Sequence, residues 1–173
     1  MSRPEPTLGN PKNTIEILQK YKFVFQKKWF LRQLKLAKEL KKPVIIHSRE
    51  AAADTMELLK ANYHGEMPMV MHCYSYSPEM AREYRKMGLY LGIGGVVTFK
   101  NAKKLKEVVE YAPLDQIVLE TDSPYLSPEP NRGKRNDSRN LVYVAREIAR
   151  IKGVTEDEVI AVTEGNAERL LLR

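Results

Sequence analysis

The chain has 173 residues, of which 43% are hydrophobic and 29% are charged, and it carries a formal net charge of +7 at pH 7. This composition is typical of a globular domain with a real core, and no apolar stretch approaches the roughly 20 residues that cross a bilayer, which excludes membrane-spanning classes. The positive charge favours an anionic partner, although many of the 29 basic residues are expected on solvated helix faces.

Helices and short apolar strands alternate along the first part of the chain. A helix is predicted over Gln26–Lys42, because apolar residues recur there at helical spacing and Pro43 stops the pattern. Ser77 is a predicted N-cap with Pro78 in the first turn, and Gly88 ends that helix. The other elements predicted here are the strand Val44–His47, the helix Glu50–Ala61 with Ala53, Met56 and either Leu58 or Leu59 facing inward, the strand Val70–His72, and the strand Leu89–Ile93.

The second part of the chain continues the same alternation. A glycine-bearing turn follows Ile93, and Thr155 with Glu158 forms a capping box. The elements predicted here are the helix Ala102–Tyr111, the strand Gln116–Glu120, a long helix from Leu141 to Ile151 closed by Gly153, a short helix after Thr155, and a final helix to Leu172 capped by Asn166.

Alternating strands and helices predict βαβ crossovers and a parallel α/β sheet. The chain shows no sequence repeat and no glycine-rich dinucleotide or P-loop motif that would favour a doubly wound sheet. Several strands instead end in residues with reactive side chains, which favours barrel geometry because barrel enzymes place their chemistry where the strands end.

Three apolar runs end in potential metal ligands. His47 follows the run Val44–Ile46, His72 follows the run Met69–Met71, and the run Ile117–Leu119 is followed by Glu120, Thr121 and Asp122. Two neutral imidazoles and a carboxylate suit a divalent ion such as Zn, Mn or Mg, and three protein ligands with an open position suffice for one catalytic metal. Each strand-end histidine has a plainer interpretation as a hydrogen-bonded structural residue, and His64 is expected on the surface.

The strand ends resemble those of the TatD-like metal-dependent hydrolases, whose characterised members include deoxyribonucleases built on a (β/α)8 barrel. The resemblance starts near Gln26 and implies that His47, His72 and Asp122 are metal ligands. Asp122 is also a predicted catalytic residue, and Glu120 is predicted as a second one from its position in the strand rather than from the resemblance. The resemblance therefore implies cleavage of DNA phosphodiester bonds. The matching segments are Pro43–Arg49, Met71–Ser75, Gly92–Gly95, Glu120–Leu126 and Arg132–Asn136.

Two segments of the family pattern are missing from this sequence. The family uses a His-x-His pair on its first strand and a Glu in a Gly-Glu-Ile-Gly-Leu-Asp-like segment, and neither is present. The expected fold is therefore a partial (β/α)8 TIM barrel, about its second half, over residues 26–173, preceded by an atypical segment over residues 1–25. Within that segment, Thr14–Phe25 resembles a helix and a strand of the missing half.

A half-barrel leaves sheet edges open. Four or five strands cannot close a barrel, so unpaired backbone groups and apolar surface are expected at its edges. Pairing of two half-barrels as a homo-oligomer is one way to cover them. A catalytically inactive half-barrel that binds nucleic acid or a partner is therefore the alternative to an active deoxyribonuclease, and a hydrolase of non-nucleic esters or amides is a third hypothesis.

Other polar residues near the predicted site have two interpretations each. Glu120 is expected one layer beneath Asp122, either orienting a ligand or water or pairing with a basic residue. Arg49 meets either a phosphate or a neighbouring carboxylate. The cluster Arg132, Lys134 and Arg135 either neutralises DNA backbone phosphates or forms a solvated loop.

Aromatic and sulfur side chains flank the same strand ends. Tyr74, Tyr76 and Tyr125 are expected to stack on bases or to form pocket walls. Alternation turns Cys73 away from His72, which favours a packing role. Because Cys73 is the only cysteine and the first residues lack the apolar core of a signal peptide, a cytoplasmic location is expected.

Overall fold

The computed structural model describes residues 11–172, with side chains from Phe23 onward. The described residues divide into two compact units, one that ends at Leu36 and one that begins at Ala37. Within the described residues no helix is both long and apolar enough to cross a membrane. The elements are α1 Pro11–Glu39, β1 Val44–Ile46, α2 Ala52–Asn62, β2 Met69–Met71, α3 Pro78–Lys86, β3 Tyr90–Ile93, α4 Lys103–Tyr111, β4 Ile117–Leu119, α5 Leu141–Lys152 and α6 Glu156–Leu171.

The second unit is built on a sheet of four parallel strands in the order β1-β2-β3-β4. Val44 lies opposite Met69, Val70 opposite Tyr90, and Gly92 opposite Val118. Spatial order therefore equals chain order, with a helix in each crossover, which is how consecutive units of a (β/α) barrel are arranged. The predicted parallel α/β architecture is confirmed.

The hydrophobic core lies on both faces of this sheet. On one face Met69, Met71 and Leu91 are almost fully buried, together with Tyr84 of α3. On the other face Val70 and Val118 pack with other side chains, and the C-terminal part of α6 contributes Leu170 to this cluster. Strand β2 is thus buried on both of its faces.

Capping residues define the helix ends as the sequence predicts. Ser77 Oγ accepts a hydrogen bond from the Met80 N–H at the start of α3. Thr155 Oγ1 accepts from the Glu158 N–H at 3.1 Å, at the start of α6. Gly153 ends α5 with φ of 68°, a left-handed conformation that glycine adopts without steric cost.

Two predicted helix boundaries are wrong. The helix expected to begin at Gln26 begins at Pro11, and the strand expected within Thr14–Phe25 is absent because this range is helical. An existing helix extends more easily than a new element forms, since only nucleation is costly. Likewise, the helix after Thr155 runs without a break to Leu171.

The reason for the unbroken α6 is the environment of Asn166. This residue does not cap a helix; it is fully buried inside α6, where its Nδ2 donates to the backbone O of Leu114 and of Ile117, each at 2.7 Å. Asn166 therefore satisfies two carbonyls at the start of β4. Local preference of asparagine for helix ends is overridden by this tertiary contact.

Burial of the first βα unit also differs from prediction. Strand β1 is not a buried run, because the Ile45 side chain is 63% exposed. The N–H of Val44 donates to Pro68 O and the N–H of His72 donates to Ile46 O, so the backbone groups of Ile45 point to the open side of the sheet. In α2 the inward positions are Thr55 and Leu59, whereas the predicted Ala53 is exposed.

Candidate metal centre

His72 lies between two carboxylates at the carboxyl edge of the sheet. It is the first residue after β2, and its Nδ1 is 2.7 Å from Glu120 Oε2. Its Nε2 is 3.2 Å from Asp122 Oδ1. Strand β4 ends at Leu119, and the Glu120 N–H continues the ladder by donating to Ile93 O, which places the Glu120 side chain beside His72.

The two carboxylates determine how each ring nitrogen of His72 is used. An ionised carboxylate only accepts hydrogen bonds, so Nδ1–H donates to Glu120 Oε2. In the neutral imidazole the other nitrogen, Nε2, then carries a lone pair that faces the Asp122 oxygen. Two acceptors at 3.2 Å repel each other unless a cation or a second ring proton lies between them. The arrangement therefore favours a positive charge at this point.

The spacing of these two atoms fits neighbouring ligands of one metal ion. Metal bonds of about 2.0–2.1 Å place adjacent ligand atoms about 3.0 Å apart in an octahedral shell and about 3.4 Å apart in a tetrahedral one. The distance of 3.2 Å between His72 Nε2 and Asp122 Oδ1 lies between these values. A ligating histidine whose other nitrogen donates to a carboxylate is also the usual arrangement in metalloproteins.

His47 lies at the same edge but is not assembled with this pair. It follows β1, its side chain is exposed, and its ring centroid is 5.7 Å from that of His72 with the planes tilted by 36°. Among the residues whose side chains are described, no group of three or more His, Cys, Asp or Glu is positioned to hold a metal ion. Of the three predicted ligands, His72 and Asp122 lie at the distance expected of two ligands of one metal ion, whereas His47 lies nearby without reaching that distance.

Two glycines, one in β3 and one just after it, leave the space that the Glu120 side chain occupies. A Cβ atom on Gly92 would collide with Glu120 Oε2 and would lie 3.1 Å from the backbone O of Met71. A Cβ on Gly94 would lie 3.3 Å from the backbone O of Glu120. The second carboxylate oxygen, Oε1, is buried and has no hydrogen-bond partner in the described part of the chain. The carboxylate thus occupies a space that only glycine at position 92 leaves open.

Backbone conformation also shapes the edge. Asp122 has φ of 53° and Cys73 has φ of 47°, both in the left-handed region that is uncommon for residues other than glycine. The alternation used to orient Cys73 therefore does not apply to it. Its thiol is half-buried, and burial raises its pKa to about 11, with smaller contributions from the negative charges of Glu120 and Asp122.

A hydroxyl network that sequence reasoning missed joins the loops after β1 and β2. Ser48 Oγ is 2.8 Å from Thr55 Oγ1 and 2.8 Å from Tyr76 Oη. Tyr76 Oη also donates to the backbone O of Ser48 at 2.7 Å. These hydrogen bonds connect the loop that follows His47 to α2 and to the loop that follows His72. No periodic or motif signal in the sequence indicates this contact, because the three residues come from separate segments.

The predicted aromatic and basic residues divide into buried and exposed groups. Tyr74 is buried and donates to Ser77 O, so it is a packing residue. Tyr125 is 71% exposed. The Arg132 guanidinium stacks 4.3 Å from the Phe99 ring centroid. The other exposed residues predicted here are Arg49, His64, Lys134 and Arg135.

Buried Asn136 connects the basic loop to the segment that follows Asp122. Its Nδ2 donates to Thr121 O at 2.7 Å and to Tyr125 O at 2.8 Å, and its N–H donates to Pro124 O at 3.0 Å. Asn140 Nδ2 donates in turn to Asn136 Oδ1. The basic residues are therefore fixed next to the segment that leads from the Asp122 end of β4.

Comparison with known proteins identifies the fold and the family. A model of the family described as TatD related DNase matches residues 16–172. In solved structures, the TatD homologue YJJV of Escherichia coli K12 matches with a TM-score of 0.75 and 29% identity over 82% of this chain and 54% of that one. An uncharacterised amidohydrolase of Saccharomyces cerevisiae, at 18% identity, shares the fold with a TM-score of 0.73 over 84% of this chain and 59% of that one.

Curated relatives agree with this assignment. The uncharacterised metal-dependent hydrolase YabD of Bacillus subtilis is 48% identical over 145 residues, or 84% of this chain and 57% of the relative. YcfH of Escherichia coli K12, named in the same way, is 40% identical over 85% of this chain and 56% of the relative. The fold is thus part of a TIM-type barrel. The chain belongs to the TatD family, and it spans about half the length of these relatives.

Proposed function

We propose that this protein is a metal-dependent hydrolase of the TatD type that cleaves phosphodiester bonds of DNA. The observation that carries the proposal is the His72 ring, held by Glu120 on one nitrogen and facing Asp122 with the other. Support also comes from the relatives, which are named as metal-dependent hydrolases, and from the family description as DNases.

His47, His72 and Asp122 would hold a divalent ion, and Zn, Mn and Mg are the candidates. When bound, an ion here would supply Lewis-acid chemistry at a phosphoryl oxygen and would lower the pKa of water to about 7. Glu120 keeps the proton of His72 on Nδ1 and so leaves Nε2 free as a ligand. His47 would complete the ligand set if its exposed side chain, whose ring centroid lies 5.7 Å from that of His72, turned toward the other two ligands.

Basic side chains around the carboxyl edge would bind the DNA backbone. Arg49, Lys134 and Arg135 are exposed, and none lies within ion-pair distance of a carboxylate in the part of the chain with described side chains. Arg132 lies 3.9 Å from Glu129 and stacks on Phe99, so it is only partly engaged. Contacts of this kind neutralise phosphates and give affinity that falls with salt.

A specific observation favours a second candidate function. No group of three potential metal ligands is assembled among the described side chains, although two of them have ligand spacing. The second candidate is therefore a catalytically inactive half-barrel that binds nucleic acid or a partner. It shares the basic loop with the first candidate and differs in predicting no cleavage.

A nuclease assay on the folded chain separates the two candidates. Single-stranded and duplex DNA are incubated with Zn²⁺, Mn²⁺ or Mg²⁺ and with EDTA, using wild type, Asp122→Asn and His72→Gln. Asp115→Asn and His64→Gln are matched controls, because both residues are exposed and lie away from the carboxyl edge. Cleavage that needs metal, Asp122 and His72 supports the hydrolase. If the folded protein cleaves no DNA with any of the three metals, the hydrolase proposal is wrong. If it hydrolyses small esters but not DNA, the substrate is a non-nucleic ester.

Two further expectations stay predictions. A cytoplasmic location rests on the single cysteine. Association of two copies through sheet edges is supported by β1, where the backbone groups of Ile45 face the open side and its side chain is exposed. Light scattering on the wild type and on Ile45→Lys tests association, because a charged residue on an edge strand prevents pairing.

A further inference from the structure

Helix α1 carries an exposed apolar row in its described part. Phe25, Trp29 and Leu36 are 61%, 44% and 46% exposed, and their spacing places them on one face of the helix. The rings of Phe25 and Trp29 lie 6.0 Å apart, and the Arg32 guanidinium lies 5.1 Å from the centre of the Trp29 ring. We call these four residues the α1 stripe. It extends about 16 Å along the helix, since each residue adds about 1.5 Å.

The packed side of this helix is the opposite one. Leu34 is almost fully buried and lies half a turn from Phe25 around the helix axis, and its neighbours Phe30 and Leu31 are half-buried. A helix that packs through one side normally presents polar residues to solvent on the other. A second row of aromatic and aliphatic side chains on the solvent side therefore indicates a surface that meets another molecule.

The positive charge of the chain is concentrated around the α1 stripe. Residues 23–42 contain seven lysines and arginines and one glutamate, a net charge of +6 against +7 for the whole chain. Lys28 and Lys35 are exposed along one side of the stripe, and Arg32 lies within it. A second copy of the chain would bring the same excess of positive charge, so repulsion disfavours self-association through this helix. The charge instead favours an anionic partner.

The apolar residues decide which anionic partner fits. A nucleic acid offers phosphates to the cations but no acyl region for an aliphatic side chain such as Leu36. An anionic lipid surface offers both, because apolar side chains enter the boundary of the acyl chains while lysine and arginine reach the headgroup phosphates. Tryptophan is enriched at that depth, since its ring is apolar and its N–H is polar. With a cation in or beside each turn, the helix would lie in the plane of the surface.

We propose that the α1 stripe binds the surface of membranes that contain anionic lipids. Phe25, Trp29 and Leu36 enter the boundary of the acyl chains, and Lys28 and Arg32 contact the headgroup phosphates. Part of the attraction is electrostatic, so binding weakens as the salt concentration rises. This function is separate from the proposed hydrolase activity and does not depend on it.

Trp29 is the only tryptophan of the chain, so its fluorescence reports directly on the α1 stripe. The full chain is titrated in EDTA with vesicles of pure phosphatidylcholine and with vesicles of phosphatidylcholine mixed with phosphatidylglycerol. We expect the emission to shift to shorter wavelength, and quenching by acrylamide to fall, with the mixed vesicles only. High salt should reverse both changes. Duplex DNA, added in place of vesicles, should cause no such shift.

Two double variants test the apolar and the cationic part separately, and both keep Trp29 as the probe. Phe25→Ser with Leu36→Ser should weaken binding to the mixed vesicles by about tenfold or more, because two apolar side chains no longer leave water. Lys28→Gln with Arg32→Gln should weaken it by about 25-fold, at about fivefold for each cation. Circular dichroism checks that each variant keeps its helix content.

Matched controls make the same kinds of change at exposed positions of other helices. Val142→Ser with Ile160→Ser, and Lys103→Gln with Lys104→Gln, should leave vesicle binding unchanged. Unchanged Trp29 emission with the mixed vesicles would overturn the proposal, and so would equal losses in the stripe variants and the controls. A shift with DNA instead of vesicles would identify a nucleic acid as the partner. A concentration-dependent shift in buffer alone, with none on adding vesicles, would identify a second copy; either result would also overturn the proposal.

Discussion

Replacement of Gly92 by alanine should break the contact that orients His72. The new Cβ would lie 3.0 Å from Glu120 Cδ, in collision with Glu120 Oε2, and 3.1 Å from Met71 O. Met71 O belongs to the β2 backbone and cannot move without disturbing the sheet. The Glu120 side chain must therefore rotate away, and its 2.7 Å hydrogen bond to His72 Nδ1 is lost.

The expected cost of Gly92→Ala is about 2–4 kcal/mol in the free energy of unfolding. Overpacking in a close-packed region costs about 1–3 kcal/mol, and a hydrogen bond to a charged group contributes about 1.5–3 kcal/mol. These two effects overlap, because rotation of Glu120 relieves part of the collision. Urea unfolding in EDTA measures the change without any contribution from bound metal.

A double-mutant cycle locates the effect at Glu120. In a Glu120→Ala background the collision with the carboxylate is gone, so Gly92→Ala should cost less than it does in wild type. Gly165→Ala is the control, since its Cβ would meet only the flexible end of Arg169 at 3.4 Å and alanine favours the helix. Equal penalties for Gly92→Ala in both backgrounds, or no penalty at all, would refute the proposed packing of Glu120.

Three further predictions follow from described contacts. Tyr76→Phe removes the hydrogen bonds to Ser48, so we expect a loss of about 1–2 kcal/mol in urea unfolding. Asn166→Ala removes the side-chain donor from the buried carbonyl of Ile117 and the partly buried carbonyl of Leu114, and should cost about 2–4 kcal/mol in the same assay. The hydrogen bond from Arg150, with a further contribution from a lysine, lowers the pKa of Glu147 to about 2 in the folded chain. The stabilisation that ionised Glu147 gives to the fold is therefore complete above about pH 4.5 and is lost as the pH falls toward 2. The melting temperature of Glu147→Gln should fall less over this pH range than that of wild type.

Each of these predictions has an outcome that contradicts it. Unchanged stability in Tyr76→Phe would mean that water replaces the hydroxyl contacts. An Asn166→Ala variant as stable as wild type would show that the start of β4 does not depend on the amide. Parallel melting curves for Glu147→Gln and wild type between pH 5 and 2 would show that Glu147 does not titrate as a folded-state ion pair.

Local signals predict most of the βα pattern of the fold. Ser77 and Thr155 mark helix starts because their hydroxyl oxygens accept hydrogen bonds from N–H groups three residues later, whatever the tertiary structure. The continuous apolar run ending at Met71 marks a strand that is buried on both faces. These features depend on neighbours within a few residues, and the sequence contains that information.

The errors arise where a distant contact decides the structure. Asn166 is predicted as a helix cap, but it is buried and donates to the carbonyls of two residues that lie 52 and 49 positions earlier in the sequence. Ile45 reads as a core residue, yet β1 has an open side and the side chain is exposed. Neither outcome follows from composition or periodicity, because each depends on which other elements are present beside the strand.

Part of the candidate site can be predicted from the sequence, and the rest depends on contacts between distant residues. Parallel strands bring their carboxyl ends to one edge, so the neighbourhood of His47, His72 and Asp122 could be expected from their positions alone. The direct contact between Glu120 and His72 depends on the missing side chain of Gly92, which periodicity does not report. The network of Ser48, Thr55 and Tyr76 likewise depends on the fold rather than on a motif.

Metal titration of the folded chain tests the central claim most directly. Isothermal titration with Zn²⁺ and Mn²⁺ is carried out on metal-free wild type, Asp122→Asn, Glu120→Gln and the control His64→Gln. The account predicts one site per chain, lost in Asp122→Asn, weakened about 10- to 100-fold in Glu120→Gln, and unchanged in His64→Gln. Absence of binding to folded wild type, or binding that is indifferent to Asp122, would contradict the assignment of His72 and Asp122 as ligands of one ion.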